Sequence, residues 1–220
     1  MKKSRYILWG SFVGVIAVVV AVMVRMVDQP PASMPETGPA VPAEDAAILE
    51  PRENDWIKGN PDASVVVVKY SDFQCPACRF YAAMDDQVSE ELGDDVLFIY
   101  RHFPLRNFQY SRLAAAFTEA AGRQGMFWEM HDLIFINQQR WSRDEDAEAI
   151  FRRFAENLEL DMEQFDRDLA DPALTQRIES DYEDGVQLGV RAVPTIYVNG
   201  RQLQGVDSLE EYKRRITAYF

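Results

Sequence analysis

The sequence predicts an α/β domain, a mixed β-sheet with helices on both faces, behind an N-terminal membrane segment. Three features support this prediction: an uncharged apolar run at residues 7–24, a strand–helix–strand pattern over residues 65–102, and a strand–turn–strand–helix pattern from residue 195 onward. Between the last two lies a block with helical periodicity, at about residues 108–188. Strands that alternate with helices in this way are typical of a sheet covered by helices.

The N-terminal apolar run has the length and the flanking charges of a membrane anchor. Its 18 residues carry no charge, and at about 1.5 Å per residue they approach the thickness of a bilayer core. Lys2, Lys3 and Arg5 precede the run and Arg25 follows it, which predicts a cytoplasmic N-terminus. We expect residues 1–28 to form an uncleaved single-pass anchor in the cytoplasmic membrane, with the rest of the chain in the periplasm or otherwise outside that membrane. A cleaved signal peptide is the alternative.

The next segment, residues 29–53, reads as a linker. It holds six of the 11 prolines and no aromatic residue, and such a composition does not form a packed core. The predicted folded domain then covers residues 54–220. The formal net charge of −13 argues against nucleic acid as a partner, because nucleic-acid binding needs clustered Lys and Arg to replace counterions.

The elements of the domain follow in order along the chain. A β-branched run at residues 65–68 predicts a buried strand, residues 76–92 a helix, and residues 96–102 a second strand. After the helical block, residues 195–203 predict a hairpin around an Asn-Gly turn. Ser208 is placed to cap a last helix.

The two cysteines form one unit, Cys75-Pro76-Ala77-Cys78, which follows the first strand and opens a helix. We expect Cys75 to be exposed at the helix N-terminus, where free N–H groups and the helix dipole favour its thiolate. Pro76 suits the first turn because its missing N–H would have no partner there. Cys78 lies about one turn further, more buried, where it can resolve a mixed disulfide. This spacing predicts thiol–disulfide exchange with Cys75 as the nucleophile, with the redox-active Cys75–Cys78 disulfide and no metal or other cofactor.

The two thiols have three other conceivable uses. Half of a zinc site needs further ligands, and the two available histidines, His102 and His131, fit no zinc-finger spacing. A purely structural disulfide closing so short a loop would restrain little unfolded-chain entropy. Two inert buried thiols would not need a proline between them at a helix start. We interpret both histidines as packing or hydrogen-bonding residues.

Four segments together resemble the DsbA-like branch of the thioredoxin superfamily. They are KYSDFQCPAC at residues 69–78, YRHFPL at 100–105, FWEMHD at 127–132 and LGVRAVPTIYVNG at 188–200. The resemblance covers about residues 58–220 and implies a thioredoxin fold with a helical insertion at about 108–188. It also implies that Pro194 is a cis-proline facing the cysteine pair, and that Val193 presents its backbone to a substrate chain.

The chain departs from this family at two positions. Lys69 stands where the family usually has a buried acid that accepts the proton of the resolving thiol. A lysine near the site would favour thiolate, whereas a strand residue on the outer face would point to the surface. Asp72 is the candidate substitute, so Lys69 and Asp72 are both candidates for tuning the thiols. The second departure is Ala77, which supplies no imidazole near the thiolate, and we therefore expect a reduction potential between about −120 mV for DsbA and about −270 mV for thioredoxin.

These inferences predict an envelope thiol–disulfide oxidoreductase that forms disulfides in exported proteins. Its partners would be exported proteins with thiols or disulfides, and a membrane redox partner of the DsbB-like or electron-carrier type. An envelope thiol reductase or isomerase is the first alternative. A non-catalytic metal-binding or chaperone protein is the alternative from another class.

Overall fold

The structure is a computed structural model that describes Gly38 and residues 40–220. The predicted membrane anchor, at residues 1–28, lies outside the described residues, as does the first part of the predicted linker. Among the helices of residues 40–220, none combines the length and the hydropathy that crossing a bilayer requires. The chain divides into the units Met1–Glu36 and Thr37–Phe220, and the described residues belong to the second.

A five-stranded mixed sheet lies at the centre of this unit, with the strand order β1-β3-β2-β4-β5. The strands are β1 (Trp56–Gly59), β2 (Val65–Ser71), β3 (Val96–His102), β4 (Thr195–Val198) and β5 (Arg201–Leu203). The neighbours β2 and β3 run parallel, and the other neighbouring pairs run antiparallel. The sequence predicted β2 to β5 and missed β1, because a four-residue strand that contains a lysine and a glycine carries almost no periodic signal.

Helices cover the sheet and form the predicted insertion. They are α1 (Pro76–Leu92), α2 (Ser111–Gly122), α3 (Phe127–Ile136), α4 (Gln138–Trp141), α5 (Ala147–Asn157), α6 (Met162–Leu169), α7 (Pro172–Gln187) and α8 (Leu209–Thr217). The helices α2 to α7 occupy the block where helical periodicity was expected. Ser208 caps α8 as predicted, since its Oγ accepts a hydrogen bond from the N–H of Glu211 at 3.3 Å.

Two apolar clusters pack against the sheet, and the larger one reaches both of its faces. Successive side chains of a strand point to opposite faces, so Val67 belongs to the cluster under α1 and α8, whereas Val68 belongs to the larger cluster that continues into the helical insertion. Because both faces are covered, β2 is buried along most of its length, and its continuous apolar run is the pattern expected of such a strand.

The later part of the predicted linker packs against the domain. Residues Ala46–Leu49 form a short 3₁₀ helix, and the carbonyl oxygens of Ile48 and Glu50 accept hydrogen bonds from Arg101. The guanidinium of Arg101 also binds both carboxylate oxygens of Asp55. The buried Arg101 thus holds this segment against the domain through its backbone carbonyls. The composition of the segment does not predict such a contact.

Candidate active site

The loop between β2 and α1 carries the cysteine pair to the start of a helix. Cys75 is the residue before the first turn of α1 and has extended backbone angles, φ −75° and ψ 122°. Pro76 occupies the first turn, where its fixed φ suits a helix and its missing N–H leaves no unmet donor. Both cysteines are free thiols in this structure. The strand, the loop and the helix start therefore stand where the sequence predicted them.

Cys75 is more buried than the sequence suggested. Its exposed fraction is 7 %, and that of Cys78 is 0 %. The expectation of an exposed first cysteine is wrong for this dithiol form, because the loop before β4 lies against it and Cys75 Sγ is 3.4 Å from the carbonyl oxygen of Val193. The expectation of a buried second cysteine is confirmed.

The loop that covers Cys75 contains the cis peptide bond implied by the resemblance, between Val193 and Pro194. The hydroxyl of Thr195 donates to the carbonyl oxygen of Ala192 at 2.7 Å and so closes the turn around this bond. The structure thus brings together Cys75, Cys78, Val193 and Pro194 from segments more than 100 residues apart. Pro76 and Ala77 lie at the exposed surface beside them.

The two thiols differ in acidity. The pKa of Cys75 is lowered to about 7, chiefly because the thiol of Cys78 hydrogen bonds to its thiolate. The N–H groups of Cys78 and Ala77 act in the same direction, whereas burial and the charge of Asp72 oppose it. Burial raises the pKa of Cys78 well above that of an ordinary thiol, and the neighbouring Cys75 raises it further. At neutral pH such a pair holds a partly ionised Cys75 above a protonated Cys78.

Asp72 is a buried carboxylate, 2 % exposed, directly below the cysteine loop. It accepts hydrogen bonds from the N–H groups of Gln74 and Leu105, both at 2.7 Å, and from the hydroxyl of Ser111 at 2.6 and 2.8 Å. Burial raises its pKa despite these donors. The N–H of Asp72 also approaches the sulfur of Cys78 at 3.5 Å. Its side chain thus fixes the loop, while its backbone contacts the second cysteine.

Lys69 is buried, with 4 % of its surface exposed. Its ammonium forms an ion pair with Asp85 of α1, and the other oxygen of Asp85 accepts a hydrogen bond from Tyr212 at 2.7 Å. The alternative that Lys69 points to the surface is therefore wrong. The largest influences on the two thiols come from other groups.

Both histidines are buried and hydrogen bonded, as interpreted from the sequence. His102 Nε2 lies 2.8 Å from Glu119, which also accepts a bond from the indole of Trp56 at 2.6 Å. His131 Nδ1 lies 2.7 Å from Asp132. Within residues 40–220, no group of three or more His, Cys, Asp or Glu side chains is arranged to hold a metal ion.

Sequence reasoning missed one residue that supports the cysteine loop. The side-chain amide of Gln138 donates to the carbonyl oxygens of Phe73 and Cys75, at 2.7 and 2.9 Å. Gln138 lies in the helical insertion, 63 residues beyond Cys75, and no local pattern marks it. The insertion therefore does more than enlarge the fold, because it holds the backbone on which the first cysteine sits.

Comparisons with known proteins agree with this architecture. The family model described as Thioredoxin matches residues 52–218. The curated Na⁺/H⁺ antiporter NhaA 1 of Mycolicibacterium gilvum is 37 % identical over 158 residues, which are 70 % of this chain and 24 % of that relative. The chain spans about a quarter of the length of the curated relatives it matches, so their antiport activity is a property of those longer proteins.

Solved structures show the same fold. A thioredoxin-like oxidoreductase from Silicibacter pomeroyi has a TM-score of 0.66 and 25 % identity, covering 80 % of this chain and 97 % of that one. The alpha-DsbA1 of Wolbachia pipientis has a TM-score of 0.71 and 20 % identity, covering 80 % and 95 %. Since the family match extends over most of the described residues and includes the cysteine pair at the start of α1, the chain belongs to the thioredoxin family, and it shares its fold, including the helical insertion, with the solved DsbA-like structure.

Proposed function

We propose that this protein is an envelope oxidase that forms disulfides in exported proteins through Cys75 and Cys78. The observation that carries the proposal is the separation of the two thiols in acidity, with a pKa of about 7 at Cys75 and a buried, strongly protonated Cys78 beneath it. A group with a low pKa is a good leaving group in disulfide exchange. Cys75 is therefore suited to release a newly oxidised substrate.

The proposed reaction has two exchange steps. A substrate thiolate attacks Cys75 Sγ of the Cys75–Cys78 disulfide, and Cys78 leaves as a thiolate. A second substrate thiolate then attacks the substrate sulfur of the mixed disulfide, and Cys75 leaves as a thiolate. In the reducing direction the same steps run backwards, and Cys78 resolves the mixed disulfide.

Substrate would bind across the loop that faces the cysteines. The carbonyl of Val193, 3.4 Å from Cys75 Sγ, is free of strand pairing because β4 begins only at Thr195. An extended substrate segment can pair with this backbone in the manner of an added strand. Pro194 shapes the loop, and the exposed Pro76 and Ala77 form the surface on the other side of Cys75.

The remaining parts of the proposal concern location and partners. Residues 1–28 would anchor the protein in the cytoplasmic membrane, and residues 54–220 would form the catalytic domain outside that membrane. Residues 29–53 would connect the two, with the end of this segment, from Ala46 to Glu50, packed on the domain. A DsbB-like partner in the membrane would reoxidise the cysteine pair. For an enzyme that works as a reductant, a transmembrane electron carrier would supply electrons instead.

One observation favours a reductase as the second candidate. A pKa of about 7 at Cys75 equals the value of about 7 typical of thioredoxin, whereas the strongly oxidising DsbA has a value near 3.5. A less acidic first thiol stabilises the reduced form less, and this lowers the reduction potential. The direction of exchange in the cell therefore has to be measured.

Trapping in cells tests the proposed function. A Cys78→Ala variant cannot resolve mixed disulfides, so we expect covalent adducts with exported proteins that disappear on reduction and are absent from a Cys75→Ser control. Complete absence of adducts would contradict an exchange enzyme and favour a metal-binding or chaperone role. Rapid alkylation of the wild-type protein in cells then separates a mostly oxidised pair, expected of an oxidase, from a mostly reduced pair, expected of a reductase.

Tuning of the thiols by Lys69 and Asp72 is a further part of the proposal. Asp72→Asn should lower the pKa of Cys75, because the negative charge of Asp72 raises it. Lys69→Met removes a cation whose charge Asp85 already balances. If the pKa of Cys75 is unchanged in Lys69→Met, measured from the pH dependence of alkylation, a direct electrostatic role of Lys69 is refuted.

A further inference from the structure

Two buried hydroxyls beneath the cysteine pair lack a hydrogen-bond partner. They are Ser71 Oγ, at the end of β2, and Tyr100 Oη, on β3, and each residue is 1 % exposed. Buried polar groups are almost always paired, because an unpaired one loses its bonds to water without replacement. Two unpaired hydroxyls in one place therefore call for a functional explanation.

The strand register places both hydroxyls on the face that α1 covers. Lys69 lies opposite Tyr100 and Ser71 opposite His102 in the parallel pair of β2 and β3. Residues at alternate positions of a strand share a face, so Ser71 and Tyr100 point the same way and are diagonal neighbours. The ring of Tyr100 stacks on that of Phe73, with centroids 5.4 Å apart. This stack fixes the direction of the phenol.

The buried second thiol lies on the same face. The N–H of Asp72, the residue after Ser71, approaches Cys78 Sγ at 3.5 Å. Burial raises the pKa of both Cys78 and Tyr100 well above the ordinary values, and the nearby Ser71 hydroxyl opposes the rise at each. Burial, and after it negative charge on Cys78, raises the pKa of Tyr100, which keeps the phenol protonated and able to donate. The Ser71 hydroxyl therefore adjoins both the buried thiol and the phenol.

The other titratable groups near this face are already engaged. Asp72 accepts from three donors, His102 is bonded to Glu119, Nδ1 of His131 is bonded to Asp132, Lys69 is paired with Asp85, and Asp181 is paired with Arg177. Three buried polar atoms in this neighbourhood of the described chain lack a partner, Ser71 Oγ, Tyr100 Oη and His131 Nε2. Of these, the Ser71 hydroxyl acts on the pKa of Cys78 by hydrogen bonding.

We propose that Ser71 is a catalytic residue whose hydroxyl donates a hydrogen bond to Cys78 when that sulfur is a thiolate, and that Tyr100 is a positioning residue that orients the Ser71 hydroxyl. This assignment rests on the proposed thiol–disulfide exchange and adds residues to its machinery. A preorganised donor aimed at an atom where charge develops lowers the barrier of the step, more so where water is excluded.

The step is balanced as follows in the oxidising direction. The bond between the substrate sulfur and Cys75 Sγ forms while the Cys75–Cys78 bond breaks, and the electron pair of the broken bond stays on Cys78. The substrate is oxidised by two electrons in the complete reaction and the cysteine pair is reduced. The proton that finally neutralises Cys78 comes from the substrate, whose two thiols lose their protons. In the reverse direction Ser71 stabilises the Cys78 thiolate that attacks Cys75.

The test separates the two exchange steps in the purified full-length protein. Reduced protein is mixed with oxidised glutathione, the reaction is quenched with acid at successive times, and mass spectrometry measures the fraction of protein that carries a glutathione adduct. Attack by Cys75 adds one glutathione, and attack by Cys78 releases it. In Ser71→Ala we expect the second step to be about tenfold slower, with its pH profile moved up by about one unit, because a hydrogen bond to a charged group contributes this much.

Rescue and a matched deletion distinguish a chemical role from a structural one. Ser71→Thr keeps the hydroxyl and should restore the rate of the second step. Tyr100→Phe should also slow this step, by a smaller factor than Ser71→Ala. Tyr81→Phe is the matched control, since the phenol of Tyr81 on α1 donates to the carbonyl of Val206 at 2.7 Å. Its second step should match the wild type.

The outcomes are distinct. If Cys75 forms no glutathione adduct in the wild type, the proposed function fails. If Cys75 reacts normally but Ser71→Ala and Tyr100→Phe leave the rate and the pH profile of the second step unchanged, the assignment of these hydroxyls is overturned and the proposed function stands. An equal slowing in Tyr81→Phe would also overturn it. Should Ser71→Ala fail to fold, Tyr100→Phe, which removes one oxygen, decides by itself.

Discussion

Replacing Cys78 with alanine tests what holds Cys75 as a thiolate. The pKa of Cys75 is lowered from 9.0 to about 7, so about half of the protein carries this thiolate at pH 7, against about 1 % for an unperturbed thiol. The hydrogen bond from the Cys78 thiol is the largest cause. A hydrogen bond to a charged group contributes about 1.5–3 kcal/mol, which corresponds to about one to two pKa units.

The Cys78→Ala variant should therefore have a Cys75 pKa of about 8–9. The N–H groups at positions 77 and 78 remain and keep part of the shift. At pH 7 the thiolate fraction then falls by roughly five- to fiftyfold, and the rate of alkylation falls with it. The assay is the rate of iodoacetamide alkylation across pH, read by mass spectrometry at Cys75.

Two comparisons make this measurement decisive. The denatured variant supplies the midpoint of an unperturbed thiol, and the wild type supplies a midpoint near 7. If the folded variant keeps the wild-type midpoint within about 0.3 units, a difference of less than about 0.5 kcal/mol, the helix N-terminus rather than Cys78 holds the thiolate. The reasoning about the pair would then be refuted.

Three further predictions concern stability and redox potential. In Gly185→Ala the new methyl carbon would lie 2.6 Å from the ring of Phe103. We expect the free energy of unfolding in urea to fall by about 1–2 kcal/mol, because the cost of overpacking exceeds the gain in helix propensity. Arg101→Met removes the nearest cation from the buried carboxylate of Asp55 and leaves it with Arg177 at 3.7 Å and the N–H of Arg52 at 2.9 Å. We expect a loss of about 3 kcal/mol in the same assay, and a loss below about 1 kcal/mol would contradict this. Equilibration with glutathione should give a reduction potential between about −270 and −120 mV, and a value above that range would contradict the argument from Ala77.

Local patterns account for the parts of the fold that were predicted. The buried strand β2, the proline-opened helix α1 and the serine-capped helix α8 each carry their signal within a few neighbouring residues. The cysteine pair and the cis bond before Pro194 were predicted because a motif and a family resemblance mark them. Such patterns lie within short segments, so they can be recognised in the sequence without the structure.

The parts that were not predicted depend on contacts between distant segments. Gln138 reaches the cysteine loop from the insertion, and Tyr100 reaches the neighbourhood of Cys78 from the adjacent strand. The burial of Cys75 follows from the loop at Val193, 118 residues away. No periodicity or spacing encodes these distances, because they arise only when the sheet and the insertion close over the site.

The buried pair of Lys69 and Asp85 explains how the chain can lack an acid on β2. A buried charge is tolerated only when it is paired, and here the strand supplies the cation while α1 supplies the carboxylate. The pair is neutral as a whole, so it exerts little net field on the thiols. Lys69→Glu alone would therefore not recreate the family arrangement, since it would place two carboxylates together. Exchanging both charges, Lys69→Asp with Asp85→Lys, would place an acid on β2 and keep the pair neutral. In the native chain the Cys78 thiolate depends instead on uncharged donors such as Ser71.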